Sequence, residues 1–245
     1  LTATENRSDG INVLNDFFCD GNTEPIYINT AIDMNILPEV TYVTALTEIE
    51  PDVKNDILKN LTQLERYKFE NILNIPNILK EHIKNERLDN LKIILFVSRL
   101  YYIEQVNKMC QKWFNEAFPD YRINTYVQNS ILAKTYNKSQ LDEFIKKHDT
   151  KDIDILINVD MIGEGVHIKN VHTVIRFRHT KSMPKFIQEI GRCLNPYDEN
   201  GTYMKGLVFD FLNDINRLYS RTYREFADEL ENNYTDMGQH NMIRL

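Results

Sequence analysis

The sequence predicts an α/β protein built in three layers, a mostly parallel β-sheet with helices on both faces. Three observations predict it. Short runs rich in β-branched and apolar residues alternate with helical patterns from Leu91 onward. Two of these runs, Leu91–Val97 (LKIILFV) and Ile153–Val159 (IDILINV), are nearly continuous, as strands buried on both faces are. The repeated order strand, helix, strand lets each helix cross over and return the chain parallel to the strand before it.

Taken in order, Leu1–Pro38 reads as the tail of a preceding unit, with helical stretches near Gly10–Cys19 and Ala31–Leu37. Thr41–Leu46 (TYVTAL) mixes β-branched and aromatic residues and reads as a strand. Pro51–Leu73 sets Val53, Ile57, Leu61 and Leu64 on one helical face. Pro76 suits the first turn of a further helix, to about Arg87, because an N–H there has no intrahelical partner to lose. After the strand Leu91–Val97 come a helix over Tyr101–Phe118 and a strand over Arg122–Val127. Ser139–Lys147 reads as a helix with Ser139 as its N-cap and Asp142 and Glu143 in its first turn. Ile153–Val159 and Val171–Phe177 are strands, Ser182–Leu194 is a helix, and Gly206–Phe211 (GLVFDF) is the last strand. Asn213–Glu231 has the pattern of an amphipathic helix.

The chain of 245 residues is 42% hydrophobic and 27% charged, ordinary for a globular protein with a full core. Its net charge of −7 excludes a global positive field, so any contact with nucleic acid must come from a local patch. Cys19, Cys110 and Cys193 are far apart and odd in number, which argues against a disulfide framework or a C-x-x-C zinc site and suits a reducing cytoplasm. The six histidines show no H-E-x-x-H or other metal spacing, so no metal is expected to be held by the chain itself. No apolar run reaches membrane-spanning length, so no membrane partner is expected. The opening Leu1-Thr2-Ala3-Thr4 has neither an initiator Met nor a signal-like pattern and reads as the interior of a longer protein.

In an open parallel sheet, ligands bind beyond the carboxyl ends of the strands, so the residues that follow each strand carry the functional information. Ser98 and Arg99 follow Leu91–Val97 and offer a hydroxyl and a guanidinium suited to phosphate. Ile153–Val159 is followed by Asp160-Met161-Ile162-Gly163-Glu164-Gly165, an acid between two glycines that permit a tight turn. The ten residues Arg176–Lys185 hold four Lys or Arg and no acid, a basic window in an acidic chain. It reads either as a solvated face or as a phosphate-binding strip. Gln188 and Arg192 are four apart on the next helix and share a face, where the planar guanidinium suits bidentate phosphate contact.

These segments, in this order, resemble motifs IV, V and VI of superfamily-two helicases, and Leu1-Thr2-Ala3-Thr4 resembles motif III. The motif VI region, Ser182, Phe186, Gln188, Gly191 and Arg192, is most similar to the motor subunits of type I and type III restriction enzymes and related DEAD/DEAH-box proteins. The resemblance implies a RecA-like P-loop NTPase fold. Residues 1–38 would be the tail of a first RecA-like domain with its linker, and residues 39–245 the second, carrying a helical insertion at about 51–88. It implies an ATP-dependent DNA helicase or translocase, with RNA as the alternative substrate and a link to restriction-modification. ATP and Mg²⁺ would be held mainly by the first domain. Gln188 and Arg192 would be catalytic, Arg192 as a finger on the γ-phosphate. Asp160, Glu164, Gly165 and Gly191 would face the nucleotide; Ser98, Arg99, Gln128, Arg176 and Arg178 would contact the nucleic-acid backbone; Thr2 and Thr4 would couple hydrolysis to domain movement.

The match has departures. Asn195 stands where motif VI usually has a second Arg, His167 where motif V often has Asp, and Glu5 where a Pro often follows motif III. No G-x-x-x-x-G-K-[ST] occurs; the nearest decoy, Gly201 to Gly206, is followed by Leu207 and Val208, which offer neither ammonium nor hydroxyl. The segment alone is therefore expected not to hydrolyse ATP. Asn195 and His167 sustain a second reading, a non-catalytic nucleic-acid-binding or interaction module of the same fold. Asp210, at a strand end, reads as a local hydrogen-bonding residue, and Cys110 as core.

Overall fold

The computed structural model describes residues 31, 34, 36–44, 74–83, 88, 90–97, 103–129, 132–146, 151–159, 168, 170–178, 183–194, 201 and 203–211. They form β1 (Val40–Thr44), α1 (Ile75–His82), β2 (Leu91–Val97), α2 (Ile103–Ala117), β3 (Arg122–Asn129), α3 (Lys134–Ile145), β4 (Asp152–Val159), β5 (Val171–Phe177), α4 (Met183–Ile190), a 3₁₀ turn (Gly191–Cys193) and β6 (Gly206–Asp210). The expected helices at 10–19, 51–73 and 213–231 lie outside the described residues.

The six strands make one sheet in the order β1-β6-β5-β2-β4-β3, and every pairing is parallel. The three-layer α/β reading is therefore correct. Alternation along β2 divides the core in two. Leu91, Ile93, Leu95 and Val97 face α1 and α2, where they meet Ile75, Leu79, Val106, Cys110 and Phe114. Ile94 and Phe96 face α3 and α4, where they meet Phe144, Phe186, Ile190 and Cys193. Cys110 is core, as expected, and burial pushes its thiol up to about 12. Trp113 and Phe114 are both buried, and Trp113 stacks on Phe177 at 5.7 Å.

Pro76 lies in the first turn of α1, and Ile75, Ile78, Leu79 and Ile83 all join the core. This part of the 51–88 stretch is thus integral to the layer it packs in. The start of α3 corrects the sequence reading. The helix begins at Lys134, its N-cap Ala133 makes no side-chain cap, and Ser139 is an interior residue. Asn137 fixes the start instead: its Nδ2 donates to Asn129 O (2.8 Å) and Leu132 O (3.0 Å), and its Oδ1 accepts from Asn129 N (3.0 Å). The other end of α3 is closed from the sheet. Lys92, buried in β2, donates from Nζ to the carbonyls of Ile145 (2.7 Å) and Lys146 (2.8 Å), where helix carbonyls lack intrahelical partners.

Candidate functional site

Because all strands run parallel, their carboxyl ends share one edge of the sheet; α4 follows β5 from that edge, and the 3₁₀ turn that closes it lies against Gly206, at the amino end of β6. The helix is anchored by an apolar face interrupted by one acid: Phe186, Glu189 and Ile190 are buried, and Cys193 continues the same face in the turn. Gln188 and Arg192 are half-buried. The helix ends at Ile190 and tightens into the 3₁₀ turn before Arg192, so the two residues are joined by a change of helical pitch rather than by one continuous α-helix. Burial lowers the pKa of the Arg192 guanidinium from its ordinary value, yet arginine remains charged throughout the usable pH range.

The turn is packed closely. Cys193 is fully buried and its Sγ donates to Ile190 O at 3.1 Å. Gly206 opens β6 directly beneath it; a Cβ at Gly206 would lie 3.1 Å from Cys193 O and 3.4 Å from its Sγ. The absence of a side chain at Gly206 lets the turn approach the strand. Gly191 differs: a Cβ there would meet no atom within 4 Å among the described residues, and its φ is not positive.

Behind α4 lies a buried charged network. Arg176 has no exposed surface; its Nε donates to Glu189 Oε2 (2.9 Å), its Nη1 to Asp210 Oδ2 (2.7 Å) and its Nη2 to Arg178 O (3.4 Å). The guanidinium also stacks over the Phe186 ring at 4.2 Å from the centroid. Asp210 accepts a second hydrogen bond, from Tyr42 Oη at 2.5 Å. Arg178 is 6% exposed and its Nη1 lies 3.4 Å from Glu189 Oε1. Burial raises the Glu189 pKa above the ordinary carboxylate value, against the opposing pull of Arg176 and Arg178.

The expectation of a basic surface strip is corrected at Arg176 and Arg178. Both side chains point into the protein, and Arg176 has its donors committed to two carboxylates and a carbonyl. Gln128 is corrected likewise: it is 5% exposed and its Nε2 donates to Asn137 O at 2.9 Å, within the β3–α3 connection. Asp210 is the local hydrogen-bonding residue expected. Of the remaining candidates, Ser98, Arg99, Asp160, Glu164, Gly165, Thr2 and Thr4 lie outside the described residues, as do Asn195 and His167. Glu189 and Tyr42 were missed. A signal for Glu189 exists, since it stands between Phe186 and Ile190 on the apolar stripe of α4, and an acid there calls for a buried cation.

Residues 74–195 match the family model described as the helicase conserved C-terminal domain. The match starts one residue before α1, runs through both core layers and includes the Gln188–Arg192 turn. This segment belongs to the helicase C-terminal family.

Solved structures agree with this helicase fold. A fragment of an HsdR subunit of a type I restriction enzyme from Vibrio vulnificus YJ016 superposes with a TM-score of 0.54 at 18% identity, covering 91% of this chain and 41% of that one. The ATP-dependent Type ISP restriction-modification enzyme LlaBIII bound to DNA gives a TM-score of 0.51 at 15% identity, covering 83% of this chain and 15% of that one. In sequence, the chain is 25% identical over 164 residues to Endoribonuclease dcr-1 of Caenorhabditis elegans, covering 64% of this chain and 8% of that protein. The helicase domain thus spans a small part of the curated relative it matches. Among the described residues, no helix is long and apolar enough to cross a membrane, and no group of three or more His, Cys, Asp or Glu is placed to hold a metal ion.

Proposed function

We propose that the chain is the second motor domain of an ATP-dependent DNA helicase or translocase of the restriction-enzyme type, completed by a preceding RecA-like domain. The observation that carries this reading is the 3₁₀ turn that closes α4, which holds half-buried Arg192 four residues after half-buried Gln188 inside a helicase C-terminal segment. Likeness to a restriction-modification enzyme that is itself bound to DNA supports DNA as the substrate.

The residues of the turn suit a nucleotide phosphate. Arg192 offers a planar cation of permanent charge, Gln188 a neutral amide, and Gly191 a backbone without a side chain in front of it. ATP, when bound, supplies the phosphoanhydride whose hydrolysis drives movement, and its Mg²⁺ would be held with it by the preceding domain. Arg192 stabilises negative charge that develops on the transferred phosphoryl group, and its partial desolvation strengthens that interaction. Gln188 orients the neighbouring polar groups. Contact with DNA falls to residues around Ser98 and Arg99 and to the segment carrying Asp160, Glu164 and Gly165, while Thr2 and Thr4 couple the two domains.

The test is Arg192→Ala in the full-length protein. DNA-stimulated ATP turnover is expected to fall by about a thousandfold. A loss smaller than about threefold would remove Arg192 from this role. It would favour the second reading, a binding module that kept the fold, to which Asn195 and His167 point.

A further inference from the structure

Arg192 is held between two buried neighbours. Three residues before it, Glu189 is tied to Arg176 at 2.9 Å. One residue after it, Cys193 is seated on Gly206 at the start of β6. Arg176 reaches further, through Asp210 at the end of β6 (2.7 Å) and from Asp210 to Tyr42 of β1 (2.5 Å). One guanidinium thereby joins the ends of β5 and β6, and through Asp210 the middle of β1, to the inner face of α4, where it also covers Phe186. The arrangement is costly to bury. Two arginines and two carboxylates are withdrawn from water, and an apolar cluster of similar volume would serve stability at least as well. What the charged cluster supplies is direction, since hydrogen bonds and ion pairs fix the angle and register of α4 in a way that apolar packing does not.

We propose that Arg176 and Glu189 are positioning residues for the nucleotide-facing turn: their buried ion pair sets the seat of α4 on the sheet and with it where Gln188 and Arg192 stand. The proposal rests on the reading of Arg192 given above. Neither residue touches nucleotide; they act through the backbone of α4.

The test uses ATP turnover by the full-length protein at saturating DNA, at a temperature well below unfolding. Glu189→Gln keeps the shape and one hydrogen-bond acceptor but removes the charge, and Arg176→Lys keeps the charge but loses the fork. Each is expected to lower kcat about tenfold while KM for ATP changes less than about twofold, the pattern of an interaction realised in the transition state. In the Arg192→Ala background, Glu189→Gln is expected to have no further effect, because a residue that acts only through Arg192 has nothing left to position. An unchanged kcat in both variants, with only the melting temperature lowered, would overturn the proposal and leave a purely structural pair. So would losses that multiply in the double variant. If Arg192→Ala itself leaves turnover intact, the reading of Arg192 fails first and this proposal fails with it.

Discussion

The Nη1 of Arg176 lies 2.7 Å from Asp210 Oδ2, so a cation from one strand end is neutralised by the end of the neighbouring strand, and both side chains are out of water. Charge reversal at this position would set a third carboxylate against Asp210 and Glu189. Arg176→Glu is expected to lose at least about 3–5 kcal/mol of stability, the scale for breaking a buried pair, and to be recovered as unfolded or aggregated protein. Thermal melting by circular dichroism checks this. A normally folded variant with weaker, less salt-sensitive DNA binding would instead return Arg176 to a surface role.

A pH dependence follows from Glu189. Its folded pKa is raised by burial above the ordinary value of 4.5, so the folded state takes up a proton at this site at a higher pH than the unfolded chain does. Between the two values stability therefore falls as pH rises, and the favourable contribution is fully present only below the unfolded value. Glu189→Gln removes the titration. The melting temperature of wild type minus that of the variant is expected to become more positive as pH is lowered from about 8 to about 5. A difference that becomes less positive as pH is lowered contradicts a raised pKa.

The two glycines at the turn should respond in opposite ways to Ala. At Gly206 a methyl meets the backbone and sulfur of Cys193, and overpacking of this kind costs about 1–3 kcal/mol. At Gly191 the methyl meets no described atom, and loss of backbone freedom in the unfolded chain favours the variant by about 0.4–1 kcal/mol. Denaturant titration of both variants should show Gly206→Ala less stable and Gly191→Ala at least as stable as wild type. If Gly191→Ala then lowers ATP turnover in the full-length protein, glycine stands there for the sake of what approaches the turn.

Much of the fold was legible because buried parallel strands have an unmistakable pattern. The runs Leu91–Val97 and Val171–Phe177 are the observed β2 and β5 to the residue. The helix carrying Gln188 was legible from its place after a strand, whereas its tightening into a 3₁₀ turn at Gly191–Cys193, ahead of Arg192, was not. Other features depend on contacts distant in sequence. The start of α3 carries no side-chain cap, so Ser139 drew the helix boundary five residues too late, whereas Asn137 holds the helix through β3. Arg176 and Arg178 were counted as a surface patch because a tally of charge takes no account of strand alternation. Their acids, Glu189 and Asp210, are 13 and 34 residues from Arg176 along the chain.

Lys92 offers a test remote from the turn. Replacing it by Met keeps the apolar stem and removes both hydrogen bonds to the end of α3. The expected cost is about 1.5–3 kcal/mol, the range for bonds from a charged donor. Hydrogen exchange should show the loss concentrated at the α3 terminus. Uniform exchange across the domain, with no loss of stability, would mean that solvent serves those carbonyls equally well.

The same lysine bears on how the strands find their alignment. β2 reads LKIILFV, and apart from Lys92 every side chain in it is apolar. A ribbon of that kind has little to stop it sliding along β4 and β5, because oily surface meets oily surface at every step. A slip of one residue would turn the ammonium toward the layer formed by α1 and α2, among Leu79, Cys110 and Phe114. A slip of two would keep the face but pull the ammonium away from the two carbonyls that receive it. Either error strands a charge in oil, at a cost of several kcal/mol. Lys92 thus works as a notch in a key, a single polar position that makes one alignment of the central strand far cheaper than its neighbours.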